Sequence, residues 1–233
     1  MKKLVIGLSV GIILLAAVLL LEYYTDWDIL IQEHFFDRAN NRWKIYPALH
    51  KQLSVIFYSG LKNLLIFTAV ICLAWLSASI HYRRLRADNK PFLIMLLSII
   101  FVPTIVAGAK YITNVYCPYQ LDIYNGLYPF VRIIDSYPLD FIQPKPGRCF
   151  PAGHATAGFA FMALFYCFKT TWKRWAGLTT GLTLGWMASI YQMYRGQHFL
   201  SHSVFSMVAS FMVIMAINYI VGRLLTRQKM TNR

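Results

Sequence analysis

The chain has 233 residues, of which 58% are hydrophobic and only 14% charged, and it carries a formal net charge of +14. A soluble domain holds about 25% charged residues, so this composition excludes an ordinary soluble enzyme and points to one membrane-embedded domain over residues 1–233. The basic excess would suit a nucleic-acid partner, but its distribution along the chain excludes that reading.

Apolar runs near 20 residues recur, the length at which a helix crosses a bilayer. Six spans are predicted, at about 4–21, 55–80, 92–109, 156–168, 177–193 and 203–221. The first follows Met-Lys-Lys, as a signal peptide would. It is long for a signal, and no A-x-A site precedes Glu22, so it reads as an uncleaved signal-anchor. Residues 22–54 then form an interfacial segment whose Tyr23, Tyr24, Trp27, Phe35, Phe36 and Trp43 suit the headgroup region. Packing explains that segment, and no chemistry is assigned to it. The expected fold is all-α, a six-transmembrane-helix bundle with an outer-face active site. Residues 1–54 are the anchor plus the interfacial segment, and about 55–222 the catalytic bundle.

The charges orient the bundle. Basic clusters occur at Lys2-Lys3, 81–90, 169–174 and 223–233, between or after spans. With six spans all four lie on one side, which the positive-inside rule makes cytoplasmic. Eight of the nine acids fall in the opposite loops, and only Asp88 lies inside. Both termini are then cytoplasmic, and three segments face outward: 22–54, 110–155 and 194–202.

Polar residues collect on that outer side. Lys110 ends the third span, His154 opens the fourth within C-F-P-A-G-H, and Arg195, His198 and His202 lie between the fifth and sixth. Ionisable residues at span ends are functional candidates. Positions 195, 198 and 202 share a face if the segment is helical, whereas Gly196 permits a turn. Three chemistries could use this set. Zinc could take three histidines, but no carboxylate stands beside them in sequence, and Lys and Arg repel a cation. Acyl transfer through Ser201 or Ser203 needs neither cation. Phosphate chemistry uses everything: Lys and Arg neutralise phosphoryl oxygens, one His attacks phosphorus and another protonates the leaving oxygen.

These residues resemble the type 2 phosphatidic acid phosphatase family, whose fold is shared with vanadium haloperoxidases. The family pattern runs K-x6-R-P, P-S-G-H, S-R-x5-H-x3-D. Here Lys110 is followed after six residues by Cys117-Pro118. Pro151-Ala152-Gly153-His154 comes next, then His198 and, four on, His202. The resemblance covers about 55–222. Cys117 replaces an arginine, Ala152 a serine, Gln192 the second arginine and His202 the aspartate.

The resemblance implies roles. His198 is the nucleophile, His154 the general acid, and His202 the nucleophile's orienting partner. Lys110 and the Gly153 backbone hold phosphate, with Ala152 beside them. Arg195 or Arg148 replaces a missing arginine. Cys117 and Cys149 flank the two motifs that must converge and lie on the oxidising side, so they are expected to form a disulfide. No metal and no cofactor is expected. The implied activity is hydrolysis of a lipid phosphate monoester or diphosphate at the outer face of a bacterial-type inner membrane, through a phosphohistidine. The alternatives are a lipid phosphotransferase or a non-catalytic lipid-phosphate binder.

Overall fold

Uninterrupted aliphatic sequence makes the first element, helix α1 (Lys2–Tyr24). A short helix α2 (Trp27–Gln32) and a two-strand antiparallel ribbon follow. In the ribbon β1 (Phe36–Asp37) pairs with β2 (Arg42–Trp43) in register Phe36↔Trp43. This ribbon and an isolated β-bridge between Leu121 and Tyr128 are departures from an all-α chain. The computed structural model describes residues 1–45 and 47–231. Tyr46 of the interfacial segment and Asn232 and Arg233 of the basic tail lie outside the described residues.

Helix α3 (Pro47–Ser54) passes through a π-helical stretch into α4 (Leu61–His81). Helix α5 (Asn89–Val102) continues into a π-helical turn that begins at Pro103, where the backbone has no N–H to give. The next membrane-side element is broken: α6 (Gly153–Phe159), a 3-10 turn, then α7 (Leu164–Cys167). Helix α8 (Thr171–Tyr194) and α9 (Leu200–Thr231) complete the chain.

Four helical stretches among the described residues are long and apolar enough to cross a membrane: Lys2–Tyr24, His50–His81, Asn89–Tyr111 and Leu200–Arg227. The other two expected spans are helical but differently made. The fourth is short and broken. The fifth, α8, carries Lys173, Arg174 and a glycine every fourth residue at Gly177, Gly181 and Gly185. A Cβ at Gly181 would run into the Met162 backbone, and one at Gly158 into Gly185. Close backbone approach through small residues is how helices associate in lipid, so α8 trades apolar bulk for contact with α6–α7. Helix α1 packs along α9 and α4 along α5. The main core joins α4, α5, α6 and α9 around Ile94, Val102, Phe159, Met162 and Ile214, all buried. A second cluster around Phe36, Tyr116, Leu121, Tyr124 and Phe199 holds the outer loops together.

Candidate active site

Lys110 is delivered by the end of α5. The Pro103 turn runs into a single 3-10 turn, Ala109–Tyr111, that carries it. Its side chain lies over Gly153: a Cβ placed there would sit 3.2 Å from Lys110 Nζ and 3.1 Å from Ala107 Cβ. Glycine at 153 is therefore a condition for the ammonium to reach the loop.

The loop after Lys110 folds back so that Cys117 and Cys149 form a disulfide with Cα atoms 5.0 Å apart. Cys149 N–H donates to Val115 C=O at 2.8 Å. The bridge thus ties the Lys110 segment to the 149–154 loop. The N–H of Ala152 donates to His202 C=O at 3.3 Å, so that amide is already engaged.

The third segment is a turn, not a helix face. Arg195 caps α8, Gly196 has φ +65, and α9 starts at Leu200. Of the two readings left open, a shared helical face or a turn at Gly196, the structure takes the turn, in a left-handed conformation that glycine adopts without a Cβ penalty. Trp43 of β2 packs against Gly196 where a Cβ would collide with its indole. His198 follows, 2% exposed, with Nδ1 3.5 Å from Cys149 Sγ and Nε2 buried without a hydrogen-bond partner.

The rings of His154 and His198 lie 6.1 Å apart between centroids, and those of His198 and His202 5.8 Å. His202 Nδ1 is buried without a partner. Among the described residues no hydrogen bond joins His202 to His198, so the ring stands beside the nucleophile candidate without gripping it. Burial, then the Lys110 charge, holds the His198 imidazole well below the ordinary histidine range, so it stays neutral. Lys110 and Arg195 both act electrostatically on His154. Arg195 Nη1 donates to Gln192 Oε1 at 3.5 Å, and its guanidinium lies 5.5 Å from the Tyr191 ring centroid. The guanidinium thus stands beside the residue at the motif's arginine position.

A cavity of about 570 Å³ reaches Lys110, Arg148, Gly153 and His154 between α4 and the end of α5. Leu61, Leu65, Pro103 and Ala107 form its apolar wall. Arg148 is exposed and stacks on Tyr111 at 4.7 Å. Arg195, His198 and His202 do not line this cavity. The close potential ligand group is Cys149, His198 and His202, with ligand atoms within 4.8 Å of one another. The disulfide occupies the Cys149 sulfur and Lys110 adds positive charge beside it, a poor fit to a cation.

Several site neighbours escaped the sequence reading. Tyr58 stacks near His154, with centroids 5.5 Å apart. Gln32 Nε2 donates to Met193 C=O at 2.8 Å. Asp28 accepts hydrogen bonds from Ser201, so a carboxylate from a distant segment reaches the residue next to His202. Desolvation raises Asp28 to about 6 despite those bonds. The signal was available: Asp28 and Gln32 are spaced i, i+4 in an otherwise apolar W-D-I-L-I-Q helix.

A family model described as the PAP2 superfamily matches residues 91–225, more than half of the chain. No curated protein and no solved structure matches significantly. The match begins within α5, so the segment that supplies Asp28, Gln32 and Trp43 lies outside it.

Proposed function

The chain belongs to the PAP2 superfamily, and from that premise we propose that it is a membrane lipid-phosphate phosphatase working through a phosphohistidine. The observation that carries this is the convergence of Lys110, Gly153, His154 and neutral, buried His198 from three distant segments. His198 Nε2 attacks phosphorus, and His154 gives a proton to the leaving oxygen. Water then attacks the phosphohistidine with His154 as base, releasing inorganic phosphate and restoring both imidazoles. Lys110 and Arg195 neutralise the phosphoryl oxygens, with Arg148 at the mouth.

The cavity supports a lipid substrate. Its apolar wall lies on α4 and on the π-helical continuation of α5, within the two membrane-length stretches His50–His81 and Asn89–Tyr111, and leads to the cationic end. An acyl or prenyl chain has a surface to follow while the phosphate meets Lys110. Candidates are lipid A phosphate, undecaprenyl diphosphate, phosphatidylglycerophosphate and phosphatidic acid. In this reading α1, α4, α5, α6–α7, α8 and α9 are six spans, both termini are cytoplasmic, and the site faces outward in a bacterial-type inner membrane. Exposed basic residues 84, 86, 169 and 173 support that orientation.

The test is phosphate release by the purified protein across that lipid panel, with EDTA present and with vanadate as inhibitor. His198→Ala should abolish turnover, and His154→Ala should slow it by about 10²–10⁴-fold. Lipid phosphate bound without release of inorganic phosphate would identify a binder. Release only with an acceptor lipid would identify a phosphotransferase.

A further inference from the structure

The 22–54 segment does more than pack. Asp28 is 2% exposed, and its Oδ1 accepts the N–H of Ser201 at 2.8 Å while Oδ2 accepts the Ser201 hydroxyl. One helical turn on, Gln32 is fully buried and donates to Met193 C=O at 2.8 Å. Helix α2 therefore grips both ends of the 193–201 stretch that carries His198. Its hold extends further, because His202 follows Ser201 and its carbonyl accepts the Ala152 N–H. A carboxylate is costly to bury, and an apolar residue would serve a helix that only covers the bundle.

We infer that Asp28 is a positioning residue for the reaction: acting through Ser201, it fixes the first turn of α9, and with it the attitude of His198 and the 151–154 loop. The aspartate that would orient the nucleophile from within α9 is replaced by His202, which makes no hydrogen bond to His198 among the described residues. Orientation is instead imposed from outside by a carboxylate on a different helix. Asp28 touches no reacting atom in this account. It sets the start of α9, and the start of α9 sets the imidazole.

The test uses the full chain in lipid nanodiscs and compares Asp28→Ala, Asp28→Asn, Ser201→Ala and the Asp28→Ala/Ser201→Ala double variant. The first readout is amide exchange in peptides spanning 195–203, with α4 and α5 as reference. Ser201→Ala, which loses one charge-assisted hydrogen bond, should speed exchange in the turn about tenfold or more, Asp28→Ala, which loses two, at least as much, and both should leave the reference unchanged. The second readout is phosphate release from dioctanoyl phosphatidic acid. Here kcat should fall about 10- to 100-fold in Asp28→Ala, as displacement of a reacting group by about 1 Å predicts. KM should change much less than kcat, since Lys110, which meets the phosphate, is carried by the end of α5 and not by the brace. Asparagine can keep both contacts with Ser201, so Asp28→Asn should recover most of kcat. The double variant should be no worse than Asp28→Ala, because the bond that Ser201→Ala removes is one of the two that Asp28→Ala already removes.

The kinetic arm rests on the phosphatase reading, whereas the exchange arm needs no turnover. A wild-type protein that releases no phosphate defeats that reading and leaves exchange to decide the brace. Wild-type exchange in the turn of Asp28→Ala, or additive effects in the double variant, overturns the inference. If Asp28→Ala speeds exchange throughout the chain, Ser201→Ala decides. That variant keeps the Asp28 bond to the Ser201 backbone, and wild-type behaviour in it overturns the inference.

Discussion

Gly196→Ala probes how tightly the turn before His198 is built. Two costs are separable. At φ +65 an alanine pays for the left-handed region, about 1–2 kcal/mol. Its Cβ would also collide with the six-membered ring of the Trp43 indole. Trp43 cannot retreat freely, since its ring lies 5.0 Å from Phe36 and 5.3 Å from Tyr124 between centroids. Disturbing one or two such aromatic pairs costs about 0.5–1.5 kcal/mol each. The sum is about 1.5–5 kcal/mol of stability. The functional effect should be of comparable size, because His198 lies two residues on, and a shift of about 1 Å there predicts about a hundredfold loss of kcat. The assay is thermal unfolding and phosphate release for Gly196→Ala, Trp43→Ala and the double variant. Removing the indole should relieve the collision but not the backbone strain. On the Trp43→Ala background, Gly196→Ala should therefore cost only the first term. If it costs as much there as in the wild type, Trp43 is not what the turn rests against. If Gly196→Ala alone behaves as wild type, the turn does not hold His198.

Three further outcomes follow from the same geometry. Asp28 is raised from 3.8 to about 6, chiefly by desolvation. Its folded carboxyl thus holds a proton more tightly than the unfolded one, and ionisation costs stability as pH rises from about 4 to about 6, reaching about 3 kcal/mol above that. Asp28→Asn should gain on wild type over that window in unfolding scans, and a flat difference from pH 4 to 7 would contradict the burial account. Arg195→Lys should lower kcat/KM about 10- to 100-fold, the value of a charge-assisted bond that a point charge cannot replace in fork geometry. Equal rates would reduce Arg195 to a partner of Tyr191. The Cys117–Cys149 bridge spans 32 residues, and removing it by Cys117→Ala should cost about 2–4 kcal/mol of stability. Mass spectrometry of alkylated, unreduced protein should find neither cysteine modified, and labelling of both would remove the bridge from the account.

What was legible in the sequence was what is local or charged. Lys110, His154 and His198 stand in short motifs with fixed spacing, and the structure brings them together. The convergence of 117 with 149 followed from motifs that had to meet. What was not legible depends on which surface faces which. The fourth and fifth apolar runs are shorter than 55–80, but length alone does not say why: α8 carries glycines where it approaches the α6–α7 backbone, and these lower its apolar character. Trp43 read as an interfacial aromatic because nothing near it in sequence indicates Gly196, over 150 positions away. Asp28 was counted only as an outer-side charge. Burial against α9 turns that same carboxylate into a structural acceptor, and burial is a property of the folded chain.

The electrostatic balance of the site is the last link. Lys110 and Arg195 converge on His154, Lys110 also acts on His198, and Arg148 stands at the cavity mouth. The nearest buried carboxylate, Asp28, is committed to Ser201. Left to itself such a site repels protons, which is why burial and the Lys110 charge keep His198 neutral and its Nε2 lone pair free. In the proposed reaction the phosphoryl group brings the missing negative charge. Its arrival pairs Lys110 and weakens the repulsion that disfavours protonated histidine. The substrate thereby favours a proton on the acid next to its own leaving oxygen. A carboxylate fixed beside His198 would stabilise the imidazolium in advance and cost the empty enzyme some of its neutral nucleophile. Histidine at 202 avoids that cost but gives up orientation, and a brace from α2 supplies orientation without placing a charge against the ring.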